Sequence, residues 1–197
     1  FPNRISPDLA YCVGLILGDG SLTGDTSNRI GNWGLTVYFD NLQHMRHYDE
    51  LIKKEFEMVT IHYPPIRNCY SSKVHSKPLH WFFRTYFDMH NGFKCDKISV
   101  PQVILNTPDL DLKVAFLQGL FDSDGTVTER SGVSYSTTSE VMAKQVQELL
   151  VRMDFDCYIY KWVKNERVLP LFSVRLRGKQ SLLKFARDVD FRHPLKA

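Results

Sequence analysis

Apolar and polar positions change their period repeatedly along the chain, and the changes predict alternating helices and strands. A helical period is predicted over 7–18, 42–56, 78–88, 108–123, 139–152 and 179–188. Between these segments, β-rich stretches predict strands at 35–39, 60–75, 126–137 and 157–177. The clearest strand is FSVRLR at 172–177, in which every second residue is apolar and the others are serine or arginine. The pattern therefore predicts an α+β fold.

The order of predicted elements occurs twice. The stretch GLILGDG at 14–20 matches GLFDSDG at 119–125, so that its first glycine and its final Asp-Gly recur at a constant offset of 105 residues. Upstream, SPDL at 6–9 resembles TPDL at 107–110, and both predict a helix start with Ser or Thr as the N-cap and Pro as the first helical residue. We therefore predict two similar halves, 1–95 and 107–197, joined by a linker at 96–106.

Both repeated motifs end a predicted helix on an acid. A helix C-terminus carries partial negative charge, so Asp19 and Asp124 are electrostatically unfavourable there. Small residues spaced four apart precede each acid, and they predict two helices that pack closely and bring the acids together. Two neighbouring carboxylates favour a divalent cation, with carbonyls as further ligands. The alternative interpretation is a pair of ordinary Asp-Gly helix ends.

Composition narrows the class of protein. Hydrophobic residues make up 43% and charged residues 24% of the chain, which is typical of a globular protein, and the formal net charge is +3. No acid lies in 58–87, and Glu166 is the only acid in 157–187, whereas lysines and arginines occur throughout both. This distribution favours a polyanion as partner, although ordinary solvated strands would also produce it.

The apolar stretches are too short to span a membrane, and the opening residues do not resemble a leader. The four scattered cysteines predict buried, reduced thiols. We expect an intracellular protein, in the cytoplasm or nucleoid of a prokaryote or in an organelle.

The two motifs, CVGLILGDG at 12–20 and LQGLFDSDG at 117–125, resemble the signatures of the LAGLIDADG homing endonuclease family in its single-chain, two-motif branch. The resemblance implies two pseudo-symmetric αββαββα halves that form a saddle of antiparallel strands over double-stranded DNA. It also implies that Asp19 and Asp124 are the catalytic acids and that the carbonyls of Gly18 and Ser123 contact metal. Asp122 stands where the first motif has Leu17, so a cap or interface hydrogen bond suits it better than catalysis.

The resemblance further implies Mg²⁺-assisted phosphodiester hydrolysis, with Mn²⁺ or Ca²⁺ able to occupy the same site, and a staggered double-strand cut across the minor groove. The family supports each centre with a lysine. Lys94 and Lys196, which share an offset of 102 residues, are the candidates, and Lys97 is a rival. The family's polar strand position falls near Asp40 or Asn41 in one half and near Thr137 or Thr138 in the other.

Sequence readout is expected from outward strand side chains in the major groove, which distinguishes all four base pairs. The halves differ, so an asymmetric target is expected. Arg175 and Arg177 are the strongest candidates, because strand alternation places them opposite the apolar residues. The full set of predicted DNA-binding residues is Arg29, Thr36, Tyr38, Arg67, Ser72, Lys73, Thr128, Arg130, Ser134, Ser136, Lys161, Lys164, Arg167, Arg175 and Arg177.

Three functions remain open from the sequence. The leading hypothesis is a monomeric, site-specific DNA endonuclease encoded within an intron or similar mobile element. The alternatives are an RNA maturase that assists splicing of its own intron and a DNA-binding protein that does not cleave. His44 and His47, three apart on a predicted helix, have no third ligand nearby and are interpreted as surface residues, and His193 is given no catalytic role.

Overall fold

The computed structural model describes residues 1–24, 33–92, 96–128, 132–163 and 168–196. In the first half its elements are α1 (Pro7–Asp19), β1 (Gly20–Thr23), β2 (Gly34–Phe39), α2 (Leu42–Phe56), β3 (Ile61–His62), β4 (Tyr70–Val74) and α3 (Lys77–Tyr86). The helix starts follow from polar caps: the side chains of Ser6, Asn41 and Ser76 accept hydrogen bonds from the first-turn amides of α1, α2 and α3. The strand β1, which starts directly at the end of α1, is not in the predicted set.

The second half repeats this order after an additional short helix. Its elements are α4 (Gln102–Leu105), α5 (Leu110–Asp124), β5 (Gly125–Thr128), β6 (Gly132–Thr137), α6 (Glu140–Arg152), β7 (Cys157–Trp162), β8 (Leu171–Leu176) and α7 (Gly178–Asp188). The predicted start of the long helix is wrong: Asp109, not Thr107, is the N-cap of α5. The hydroxyl of Thr107 instead accepts from the Asp109 amide. The short helix α4 lies inside the predicted linker, and the boundaries at 95 and 107 stay predictions.

Each half forms an antiparallel sheet with the same topology. The strand orders among the described residues are β1-β2-β4-β3 and β5-β6-β8-β7. Apolar residues of the central strands, such as Val37 and Val174, face the helices in one continuous core. The opposite face of each sheet is more polar. The predicted α+β architecture with two pseudo-symmetric halves is confirmed.

The helices α1 and α5 form the junction between the halves. Their backbones touch where glycines leave room: a Cβ atom on Gly14 would overlap the carbonyl oxygen of Phe116, and one on Gly119 would overlap that of Tyr11. The two motif helices therefore pack at backbone contact distance, as the spacing of small residues predicts.

No helix within the described ranges is long and apolar enough to cross a membrane. The prediction of buried thiols holds for Cys12, which lies fully inside the core, and is wrong for Cys69, which is exposed in the turn between β3 and β4. Cys157 is partly buried, and Cys95 lies outside the described residues.

Candidate acidic centre and nucleic-acid interface

The two acids that end the repeated motifs lie at the C-termini of α1 and α5. Each is followed by a glycine in extended conformation that starts a strand at once. A Cβ on Gly20 would lie 2.6 Å from the carbonyl oxygen of Ile16, so the chain can leave the helix this tightly only without a side chain. Asp19 is exposed and Asp124 is half-buried, and both have interactions within the protein.

The two helix ends meet. A Cβ on Gly18 would overlap the hydroxyl of Ser123 and would lie 3.1 Å from the Oδ2 atom of Asp124. The end of α1 therefore lies directly against the carboxylate that ends α5. The structure brings Asp19, Asp124, Gly18 and Ser123 to one place, at the base of the junction between the halves.

Lys196 occupies the end of α5. Its ammonium group donates to the carbonyl oxygens of Asp122 at 2.7 Å and Gly125 at 2.8 Å, and to those of Phe121 and Ser123 at 3.2 Å. A cation here compensates the partial negative charge of the helix end. Burial lowers the pKa of Lys196, although the carboxylates of Asp122, Asp40, Asp19 and Asp124 act in the opposite direction.

The other predicted lysines are placed differently. Lys94 lies outside the residues that the structure describes, and Lys97 is exposed in the turn before Val100. Of the two candidates that the structure describes, Lys196 lies at the acidic centre. The Ser123 carbonyl, predicted as a metal contact, accepts a hydrogen bond from this lysine.

Asp122 joins the two halves beneath the acidic tips. Its side chain is buried, and its Oδ2 atom accepts from the hydroxyl of Tyr11 at 2.6 Å and from the amide of Arg192 at 3.1 Å. The predicted interface hydrogen bond of Asp122 is thus present. Burial raises the pKa of this carboxyl group above its usual value, against the effect of the Tyr11 hydrogen bond.

Histidines extend this network, and the surface interpretation of His44 is wrong. His44 is 3% exposed, and its Nε2 atom lies 2.8 Å from the Tyr11 hydroxyl. Because that hydroxyl has a single proton and donates it to Asp122, His44 must donate from Nε2. Its ring packs edge-on against that of His193 at 4.6 Å, and His193 Nε2 lies 2.8 Å from Asp40 Oδ1. Burial lowers the pKa of His44 to about 3, so the imidazole is neutral at physiological pH.

Apart from Asp122, this network has no clear signal in the sequence. The positions of Tyr11 and Asp122 correspond, at the motif offset, to Phe116 and Leu17 in the opposite halves. The contact between Tyr11 and Asp122 is therefore polar, whereas the two pseudo-symmetric positions across the junction are apolar. The one available signal was that a polar residue replaces an apolar one at both Tyr11 and Asp122.

The face of the first sheet opposite the core carries part of the predicted DNA-binding set. Strand pairing aligns Thr36 with Lys73 and Tyr38 with Ser71 on this face. Ser72 faces the other way: it pairs with Val37, is 1% exposed and donates to Asp49. The prediction of Ser72 as a DNA contact is wrong, because adjacent strand residues point to opposite faces and Lys73 occupies the outward one. Ser71 and, on β1, Ser21 and Thr23 also lie on this face and are absent from the predicted set.

The second sheet has the same arrangement. One row across its outer face contains Thr126, Ser134, Arg175 and Tyr158, and the next contains Ser136, Ser173 and Tyr160. Thr128 also lies on this face, opposite Gly132. Lys161 does not: it pairs with the buried Phe172 and places its ammonium 5.4 Å from that ring, on the face toward α6. The prediction for Lys161 is corrected accordingly, and Thr126, Tyr158 and Tyr160 were missed.

The remaining predicted contacts lie in turns. Arg67 is exposed in the turn between β3 and β4, and it lines a cavity of about 320 Å³ together with Asp19, Tyr38 and Asp40. Arg177 follows β8 and is exposed. Five predicted residues lie outside the described ranges, namely Arg29, Lys94, Arg130, Lys164 and Arg167.

The acidic centre fits a hard divalent cation in its donor types. Asp19 and Asp124 supply carboxylates from abutting helix ends, and Gly18 supplies a backbone carbonyl. Within the described ranges no group of three or more His, Cys, Asp or Glu side chains forms a complete metal site. Any ion held here would therefore need oxygen ligands from water or from a bound partner in addition to the protein.

The fold and these helix ends are those of LAGLIDADG proteins. Residues 111–190 match the family model for a LAGLIDADG-like domain. The whole chain has the LAGLIDADG homing endonuclease fold. Mesophilic variants of the homing endonuclease I-DmoI superpose with a TM-score of 0.73 at 16% identity, over 93% of this chain and 90% of theirs. I-DmoI in complex with DNA and Mn superposes with a TM-score of 0.71 at 17% identity, over 94% and 97% of the two chains.

The same fold extends to other proteins. The N-terminal LAGLIDADG domain of DUF199/WhiA superposes with a TM-score of 0.59 at 13% identity, over 100% of this chain and 90% of that one. By sequence, the chain is 27% identical over 154 residues to the glutamine–fructose-6-phosphate aminotransferase of Methanocaldococcus jannaschii, covering 77% of this chain and 13% of that protein. It is 31% identical over 157 residues to a DNA polymerase of Thermococcus hydrothermalis, covering 75% of this chain and 9% of the polymerase. The chain thus spans about a tenth of the length of these curated relatives.

Proposed function

We propose that this chain is a site-specific DNA endonuclease that makes a staggered double-strand cut by metal-assisted phosphodiester hydrolysis. One observation carries the proposal: α1 and α5 place Asp19 and Asp124 at abutting helix ends, between two sheets with polar outer faces. The homing endonuclease fold and the DNA complexes of its structural relatives support it.

Two roles follow for the residues of the acidic centre. Asp19 and Asp124 would hold Mg²⁺, together with the Gly18 carbonyl, and each acid serves one DNA strand. When bound, the ion would supply charge stabilisation for the attacking and leaving oxygens and would lower the pKa of a water molecule. Lys196 contributes a fixed positive charge beside both acids, and at the same time it keeps the end of α5 in place.

The proximity of the acids sets the geometry of the cut. Two acids at one junction can act on opposite strands only where the strands' phosphates are close, which is across the narrow minor groove. The two sheets would then lie in the major groove on either side, with a monomer covering an asymmetric site of about two helical turns.

The sequence relatives include an aminotransferase and a DNA polymerase, whose activities have nothing in common. We infer that the shared segment is an independent module carried by different host genes, in keeping with a mobile element. Neither enzymatic activity is transferred to this chain.

A second function has one observation in its favour. Lys196 hydrogen-bonds the Ser123 carbonyl that the endonuclease hypothesis gives to metal. A protein that binds DNA at the same surface without cutting it would retain this lysine in place and need no ion. Site-specific binding without cleavage is therefore the alternative.

A cleavage screen separates the two functions. The purified protein is incubated with a randomised duplex library and Mg²⁺, beside Asp19→Asn and Asp124→Asn variants. The proposal expects double-strand products at one sequence, lost in both variants while binding persists. Enrichment of bound DNA without products favours the alternative, and products from both variants would remove the acidic centre from the reaction. A parallel arm with structured RNA tests the maturase hypothesis.

A further inference from the structure

Two arginines on the outer face of the second sheet lie over tyrosine rings. The guanidinium carbon of Arg175 lies 4.8 Å from the centre of the Tyr160 ring, and that of Arg177 lies 4.8 Å from the centre of the Tyr158 ring. Both rings belong to β7, the strand beside β8. A planar guanidinium that stacks on a ring retains its hydrogen-bonding edge for a ligand, and its orientation is restricted.

Strand register places these stacks on the sheet face away from the core. Tyr158 pairs with Arg175 and Tyr160 with Ser173, whereas the intervening Ile159 pairs with the buried Val174. Each arginine thus reaches diagonally to the neighbouring row. The Nε atom of Arg175 also donates to the hydroxyl of Ser173 at 3.3 Å, a second contact that restricts the guanidinium.

The charges around the stacks differ from those around three other arginines. Arg152, Arg187 and Arg192 each form an ion pair with a carboxylate. Over the described part of the chain, neither Arg175 nor Arg177 has such a pair. None of the residues in the two rows around Arg175 is acidic, whereas Arg177 lies beside the exposed Asp156, whose carbonyl oxygen accepts from the Arg177 amide at 2.8 Å. Guanidinium groups that are held over rings on an outer sheet face, and that form no ion pair with the described residues, suit a partner with planar acceptors or negative charge.

We propose that Arg175 and Arg177 each read a guanine in the major groove, and that Tyr160 and Tyr158 are the positioning residues that orient them. This inference rests on the proposed function. Guanine presents O6 and N7 to that groove, which is the acceptor pair that a guanidinium fork matches with two hydrogen bonds. Arginines two residues apart on a strand are separated by about 7 Å, which equals about two base-pair steps. The expected half-site therefore has two guanines about two base pairs apart.

The test is a binding selection on a randomised duplex library. It uses a protein with Asp19→Asn and Asp124→Asn as the background, so that cleavage does not affect the readout. In this background we compare Arg175→Gln, Arg177→Gln, Tyr160→Leu, Tyr158→Leu and the two conservative Tyr→Phe variants. Arg152→Gln on α6, an arginine already paired with Glu148, is the matched control. Thermal melting verifies that each variant is folded.

Each arginine variant should lose the preference for guanine at one position, by about 5- to 140-fold, and leave the other positions unchanged. Each Tyr→Leu variant should weaken the preference at the position of its own arginine, and Tyr→Phe should restore it because the ring remains. Uniform weakening across all sequences would mean phosphate contacts and would overturn the inference, as would Tyr→Leu variants with unchanged preferences. If the background protein selects specific sites, but the preference for guanine at those sites is unchanged in the variants, only this inference fails. If it selects no sequence at all, the proposed function fails as well.

Discussion

Gly14 and Gly119 face each other's helices at the crossing of α1 and α5. A Cβ on Gly14 would lie 2.7 Å from the amide nitrogen of Leu120, and one on Gly119 would lie 2.9 Å from that of Leu15. The obstacles are backbone atoms of a packed helix, which cannot rotate away as a side chain can. The spacing between the halves, and hence between Asp19 and Asp124, depends on these two missing side chains.

We therefore expect Gly14→Ala to destabilise the protein by about 1–3 kcal/mol, because overpacking forces the helices apart. DNA cleavage should fall more than DNA binding, since the acids move relative to each other. Urea denaturation measures the first effect, and cleavage and binding assays on one target measure the second.

Gly34→Ala is the matched control for this substitution. There the new Cβ would meet the flexible end of the Lys73 side chain at 3.0 Å, which can move aside. It should cost less than about 0.5 kcal/mol. If both variants lose the same free energy of unfolding, α1 and α5 can move apart at their crossing without further cost.

Lys196 should serve both stability and activity. Lys196→Met removes the donor for four carbonyls at the end of α5, and we expect a loss of about 1–2 kcal/mol in the free energy of unfolding. Cleavage should fall as well, because a positive charge beside both acids is lost. Lys179→Met, at an exposed site at the start of α7, is the control and should change neither quantity. A Lys196→Met protein with full stability would mean that water satisfies these carbonyls equally well.

Tyr11 and Asp122 hydrogen-bond across the junction, so their contributions to the free energy of unfolding should be coupled and not additive. Tyr11→Phe leaves a buried carboxyl group with one donor fewer, at a cost of about 1–3 kcal/mol. Adding Asp122→Leu gives both positions the residue types found at their pseudo-symmetric counterparts, Phe116 and Leu17. The double variant should therefore cost less than the sum of the single variants.

A double-mutant cycle by chemical denaturation measures this coupling. Additive costs would indicate that the two side chains contribute independently, despite the 2.6 Å separation of their oxygens.

Much of the fold could be predicted from the sequence because its signals are local. The Asp-Gly helix ends, the small-residue spacing and the 105-residue offset placed Asp19 and Asp124 correctly at one junction. The matched offset also led to Lys196. Each of these signals is a period or a repeat, and both can be recognised in a single sequence.

The errors arose where a side chain's direction depends on strand register or on distant partners. Both Ser72 and Lys73 were predicted as outward, although neighbours on a strand cannot share a face, and the pairing with β2 decides between them. Lys161 failed for the same reason. His44 looked like a surface residue because its partners, Asp122 and His193, belong to the other half of the chain.

That buried imidazole makes acid sensitivity a final test of the network. His44 is faced by Tyr11, Asp122 and His193, with Asp40 and His47 close by. Its pKa is about 3 in the folded protein and near 6.5 when unfolded, so below pH 6.5 the unfolded state binds a proton that the folded state does not.

Stability therefore falls with acidification through this window, by about 1 kcal/mol between pH 7 and pH 5.5. His44→Met should flatten this part of the profile; it introduces the residue found at the same place in α6, where Met142 lies three residues after the N-cap Ser139 as His44 does after Asn41. His75→Gln, at an exposed histidine, should leave the slope in place. Unfolding free energies at pH 5.5, 6 and 7 for the three proteins measure the effect. If the slope is unchanged in His44→Met, His44 is protonated in the folded protein. The group that donates from Nε2 is then an imidazolium and not a neutral imidazole.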